Sequence, residues 1–169
     1  MEAEMKVKSD NYIQLKADED VLRLNIKDET GKDTGRYLEF DLNDLDYLLI
    51  LQEMVEQDKK NREYLKNQYT IIDKKQDHKG KKLFSSNEEA KIKATNDFFK
   101  KEAEIYNMFL GKDGVEKLLN GKKLTLARLD AIDDLIEKQI LPKLEIQADD
   151  MKKRIMSKYS NTKRDDVIE

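Results

Sequence analysis

Residues 85–144, SSNEEAKIKATNDFFKKEAEIYNMFLGKDGVEKLLNGKKLTLARLDAIDDLIEKQILPKL, hold most of the side chains from which this chain could build a tight helical core. Ser85 or Ser86 can cap a helix while the glutamate three residues on, Glu88 or Glu89, reaches back in a capping box. Ile92, Phe98, Phe99, Ile105, Tyr106, Phe109 and Leu110 give that helix a broad apolar stripe, and Gly111 stands where a left-handed C-cap would end it. Asp113 or Gly114 opens a short helix that Gly121 closes. Thr125 is placed to cap a third helix in which Leu126, Leu129, Ile132, Leu135, Ile136 and Ile140 recur at helical spacing. Pro142 must kink or end that helix, because it has no amide donor and its ring collides with the Lys138 carbonyl. A further helical pattern, carried by Leu144, Ile146, Met151, Ile155 and Met156, runs to about residue 159, and 160–169 read as a frayed tail.

Upstream the period changes. In VLRLNIK, Leu22, Leu24 and Ile26 alternate with Arg23, Asn25 and Lys27, and in RYLEFDL the apolar positions are Leu38, Phe40 and Leu42, the period of a half-buried strand. DETGKDTG between them offers Gly31 and Gly35 for positive φ, so the pair reads as a hairpin. Tyr12, Ile13 and Leu15 suggest a third strand. A lone hairpin is marginal in water, so this sheet must pack on helices, on its third strand or on another copy. Asn43 then reads as a cap, with Asp44 and Asp46 in the first turn, for a helix whose face is Leu45, Leu48, Leu49, Gln52 and Val55 and which continues weakly through Tyr64, Leu65, Tyr69 and Ile72. Residues 57–82 carry nine Lys or Arg against four Asp or Glu, whereas 17–56 carry four against twelve. Such a run is commonly a solvated helix, and it also allows one copy to dock on the next. The fold expected is α+β and mainly helical: an N-terminal β-hairpin or small antiparallel sheet, a long helix and a C-terminal helical bundle. The parts are 1–56, a lysine-rich helix and joint at 57–84, the bundle at 85–159, and the tail at 160–169.

The chain has 169 residues, 41% of them charged and 38% apolar, which suits one domain with long solvated helices and a thin core. Its net charge of −3 gives no whole-chain field toward nucleic acid or an anionic membrane. With no cysteine it has no disulfide or thiolate site, which is compatible with a reducing cytoplasm. No run approaches the roughly 20 apolar residues that span a bilayer. A cytoplasmic protein without a membrane partner is the expectation.

Catalytic, cofactor and metal sites find no constellation. His78, the single histidine, sits among lysines and aspartates with no partner to fix its tautomer, and reads as a surface residue. Asp133–Asp134 and Asp149–Asp150 are neighbours on helices, where adjacent positions diverge by about 100°, so neither pair aims at one atom. GKDG at 111–114 and NGKKLT at 120–125 lack phosphate-loop spacing. The lysines of 57–82, with Tyr64 and Tyr69 among them, could follow a nucleic-acid backbone, but the acidic hairpin opposes it. Phe98, Phe99, Tyr106 and Phe109 read first as core, packing on Leu118, Leu119, Leu129 and Ile132. A stripe this wide also suits a groove for a partner helix, with Phe98, Phe99, Tyr106, Phe109, Leu118, Leu129 and Ile136 as its candidate residues.

The order FFKKEAEIYNMFLGKDGVEKLLNGKKLTLARLDAIDDLIEKQI at 98–140 resembles small proteins encoded among the tail genes of siphophages and prophages of Gram-positive bacteria, which are similar to tail assembly chaperones. The pattern is carried by Phe109-Leu110-Gly111, the short helix from Val115 to Leu119, Gly121, Leu124-Thr125-Leu126 and Asp130-Ala131-Ile132, about a third of the chain. The resemblance implies a β-rich start followed by helices, no cofactor and no enzymatic activity. It further implies binding of the tape measure protein to keep its apolar segments from aggregating, and self-association. It transfers no contact residue. The alternative expectation is a nucleic-acid-associated or replication accessory protein that uses 57–82.

Overall fold

The computed structural model describes residues 21–41 and 46–145, with residues 149, 150, 153 and 157 beyond. The expected third strand at Tyr12–Leu15, the cap at Asn43 with Asp44, the last helical pattern beyond Leu144 and the tail fall on residues outside these or nearly so. Within them the chain is α+β and mainly helical. Strands β1 (Val21–Lys27) and β2 (Asp33–Asp41) form a two-stranded antiparallel hairpin, followed by helices α1 (Tyr47–Asp73), α2 (Ser86–Leu110), α3 (Gly114–Leu119) and α4 (Leu126–Leu135).

The hairpin pairs Val21 with Asp41, Leu22 with Phe40 and Leu24 with Leu38, and slips in register between Asn25 and Lys27. Its turn is tied by the Asp28 carboxylate, which accepts from the Thr30 and Lys32 amides at 2.9 and 3.0 Å. Gly31, at φ 81°, serves the turn. Gly35, at φ 75°, lies inside β2. The alternation holds, with Leu22, Leu24 and Ile26 half-buried and Leu38 and Phe40 buried. Phe40 stacks at a tilt on Phe109 with centroids 5.4 Å apart, and Arg36 donates to the Lys117 carbonyl at 2.8 Å and the Asn120 side chain at 3.0 Å. The hairpin is thus fastened to α2 and α3, which supplies the cover that two strands alone lack.

α1 runs unbroken as far as Asp73, and the rest of the lysine-rich segment, residues 74–84, is the connection to α2. Its inward face matches the one expected at Leu65, Tyr69 and Ile72 and differs from it in the first turns. Leu48, Leu49, Gln52 and Val55 are exposed, whereas Tyr47, Leu51, Met54, Asp58, Asn61, Leu65, Gln68 and Ile72, spaced alternately four and three apart, are protected, with Ile50, Gln57, Arg62 and Tyr69 half-buried beside them. That is the seam of a coiled coil. The opening turn YLLIL is apolar on all sides, so periodicity there selects no face, and the contact with α2 decides it. α2 answers with Lys91, Thr95, Phe98, Glu102, Ile105 and Phe109 at the same spacing. Ile92, expected on this stripe, is exposed, and so is Leu126 of α4.

Ser85 is the α2 cap, in a capping box with Glu88: its hydroxyl accepts from the Glu88 amide and its own amide donates to the Glu88 carboxylate. Gly111 ends the helix at φ 90° and ψ 179°, a positive φ but not the left-handed helical cap expected. The left-handed positions are Asp113 and Asn120, which bracket α3. Thr125 caps α4 as expected. Pro142 does not end that helix, because α4 passes into a π-helical turn, Ile136–Ile140, and residues 141–145 remain helical. There the Leu141 amide bonds the Ile136 carbonyl five residues back, and this wider turn accommodates the proline's missing amide.

Among the described residues the core lies at one end. It joins Leu38 and Phe40 of β2, Tyr47 and Met54 of α1, Ile105 to Leu110 of α2, and Leu129, Ile132, Ile136, Ile140 and Leu144. It takes no residue beyond Met54 on α1 or before Phe99 on α2. The other half of α1 and α2 is a two-helix hairpin extending from that core, closed by residues 74–85.

Candidate functional site

Where the hairpin leaves the core, its seam turns polar. Glu102 is fully buried, 0% exposed, on the same face of α2 as Phe98 and Phe109. Its Oε1 accepts from Asn61 Nδ2 at 2.8 Å, and the same nitrogen donates to the Phe98 carbonyl at 3.2 Å. Its Oε2 has no donor among the described residues. Burial, then the Asp58 carboxylate beside it, push the Glu102 carboxyl up to about 8, so at neutral pH it holds a proton that it can donate to Asp58. Asp58 is bonded at 2.8 Å by Arg62, whose other end reaches Asp133 at 3.9 Å. Tyr106 donates its hydroxyl to Asp133. Burial first, then that bond to a carboxylate, raise the Tyr106 phenol, and burial also raises Asp133. Two hydrogen bonds, Asn61 to Glu102 and Tyr106 to Asp133, and the Arg62–Asp133 ion pair therefore link α1, α2 and α4 across the layer.

On either side of α2 lies a shallow groove. The first, about 420 Å³, runs between α1 and α2 just beyond the polar layer, with Leu65, Ala94 and Phe98 as its apolar floor and Asn61, Gln68, Asp97 and Lys101 around it. Tyr64 stands at its edge, 63% exposed. The second, about 410 Å³, lies between α2 and the α3–α4 connection and is lined by Phe99, Ala103, Leu124, Asn96, Lys100 and Lys123. Lys123 donates to Asn96 at 2.9 Å across it, which makes it the more closed to a large ligand.

The sequence-derived partner residues separate accordingly. Tyr106, Phe109, Leu129 and Ile136 are buried in the core, and Leu118 is half-buried against it. Phe98 and Phe99 touch edge-to-face at 5.1 Å, yet Phe98 floors one groove and Phe99 lines the other. Glu102 was not among the candidates, although a signal existed: it occupies a stripe position between Phe98 and Phe109.

His78 is exposed in the connection from α1 to α2. Of the basic segment's aromatics, Tyr64 is exposed and Tyr69 is bonded to Thr95. Among the described residues, no group of three or more His, Cys, Asp or Glu is placed to hold a metal ion, and no helix is long and apolar enough to cross a membrane. Comparison with known proteins adds no relative. No family model, no curated protein and no solved structure matches this chain.

Proposed function

We propose that this protein is a non-enzymatic binder of helical protein segments and, joining that to the resemblance of residues 98–140, a phage or prophage tail assembly chaperone whose client is the tape measure protein. The observation that supports the reading is the groove over Leu65, Ala94 and Phe98. It lies on a stretch where α1 and α2 stand as two helices, so a third helix can lie along both. Helices pack at about 8–10 Å when small side chains let them approach, and Ala94 supplies that opening beside the Phe98 ring. An amphipathic client helix would set its i, i+3, i+4, i+7 face on this floor, with Asp97 and Lys101 pairing with its flanks.

Co-expression with the tape measure protein, followed by size-exclusion chromatography with light scattering at low and high salt, tests the proposal. A soluble complex that survives high salt and is lost in Ala94→Arg, which fills the groove, is the expected result. No complex, together with retained nucleic acid that salt strips away, would overturn it in favour of the basic segment 57–82.

A further inference from the structure

The two ends of α1 both carry uncovered apolar side chains, and the charge around them is opposite. At the far end, Leu83 is 81% exposed, and Phe84 and Ile71 are about half exposed. Around them residues 74–84 hold Lys74, Lys75, Lys79, Lys81 and Lys82 against Asp77 alone. The base of this knob is tied down. The Asp77 carboxylate accepts from the Asn87 amide at 3.0 Å, Asn87 Nδ2 donates to the Lys75 carbonyl at 3.0 Å, and the Ser86 amide donates to the His78 carbonyl at 2.8 Å. At the near end, Leu49 is 64% exposed and Leu48 and Val55 about half exposed. Between 46 and 56 every charged residue is acidic, with Glu53 and Glu56 flanking the apolar strip, and Lys59 and Lys60 mark where it stops.

A chain cannot bring these two ends together. They are separated by a 27-residue helix, about 40 Å at 1.5 Å per residue. We propose that the Leu83–Phe84 knob of one copy seats on the Leu48–Leu49–Val55 strip of another, with the knob's lysines against Glu53 and Glu56. Charge complementarity names the occupant: each patch offers the apolar surface and the sign of charge that the other lacks. The contact joins two different surfaces, so two antiparallel copies can make it twice and close as a dimer, and any other rotation adds copies head to tail into a larger ring or a filament. It goes beyond the groove reading and uses no groove residue.

The test is sedimentation velocity of the full-length chain from low to high micromolar concentration, at low and high salt. The wild-type mass should rise with concentration to a dimer or a larger assembly and fall with salt. Leu83→Asp and Leu49→Asp should each weaken self-association at least tenfold. Mixed, they should form a 1:1 dimer that grows no further, because one keeps only a strip and the other only a knob. Should either variant fail to keep its fold, Lys81→Glu/Lys82→Glu and Glu53→Lys/Glu56→Lys replace them, each weakened alone and restored when mixed. A monomer at every concentration, association that survives Leu83→Asp, or a mixture that stays monomeric would overturn the proposal. Ala94→Arg, which tests the groove, should leave the wild-type masses unchanged.

Discussion

Replacing Glu102 by Gln should stabilise the protein at neutral pH and flatten its stability between about pH 5 and 8. The Glu102 carboxyl sits at about 8, against an ordinary value of 4.5. Between those values the unfolded chain has released the proton and the folded chain still holds it. Stability is then full below the ordinary value and falls by about 1.4 kcal/mol for each pH unit as pH rises toward the folded one. At pH 7 the accumulated cost is about 3 kcal/mol, and above pH 8 it levels off near 5 kcal/mol. Glutamine keeps the oxygen that accepts from Asn61, offers an N–H to Asp58 and never ionises. It should therefore gain up to about 3 kcal/mol at pH 7, or about 6–12 °C in melting temperature for a chain of this size, and little at pH 5.

Urea unfolding at each pH from 5 to 8 gives the comparison, with an unchanged slope against urea certifying that the transition stays the same. Asp133, also raised by burial, contributes with the same sign, from the ordinary carboxylate range up to its own folded value. The carboxyls of Asp28, Asp77 and Glu89 are lowered, led respectively by hydrogen bonds from Thr30, the Asn87 amide and Lys93. Their stability is lost as pH falls through values below the ordinary carboxylate range, outside this window. Equal slopes in both proteins, or a variant less stable at pH 7, would refute the reasoning.

Phe109→Ala should cost about 3–5 kcal/mol, since the ring is buried between Phe40 and the helices, while Phe99→Ala should cost under about 2 kcal/mol; melting curves separate the two. Gly114→Ala places a Cβ 2.5 Å from the Leu110 Cβ and should destabilise by about 1–3 kcal/mol, read in the same assay. Arg36→Ala removes the donors to Lys117 and Asn120, and should cost about 1–2 kcal/mol and speed hydrogen exchange in α3 before the rest of the fold.

The hairpin, the capping box at Ser85 and the cap at Thr125 were legible because each is written in neighbouring residues. Period-two alternation and a serine three residues before a glutamate need no tertiary contact to be read. The inward face of the first turns of α1 was not legible, because Tyr47, Leu48, Leu49, Ile50 and Leu51 leave no polar side to exclude, and only the arrival of α2 breaks the tie, whereas Leu65, Tyr69 and Ile72 farther on were legible. The proline at 142 marked a disturbance but not its form, since a π turn is chosen by what Ile136 and Ile140 must bury. The aromatic cluster was legible as a cluster. Its division was available from the same argument that separates Asp133 from Asp134: adjacent helical positions diverge by about 100°, so Phe98 and Phe99 line different grooves while their rings still touch.

The polar layer explains why the hairpin holds one alignment. Asn61 with Glu102, Tyr69 with Thr95 and Asp73 with Lys91 all fall in a single antiparallel register. An apolar seam of four-three spacing tolerates a slide by one heptad, because each knob finds another hole. Here a slide that sets Glu102 against Met54 would leave a buried acid with no donor, which costs more than the bond to Asn61 contributes. The layer thus adds little net stability at neutral pH, as the raised Glu102 carboxyl itself shows, and much to register. Register is what sets Ala94 and Phe98 across from Leu65, so the groove floor depends on an interaction made one turn away, at Asn61 and Glu102.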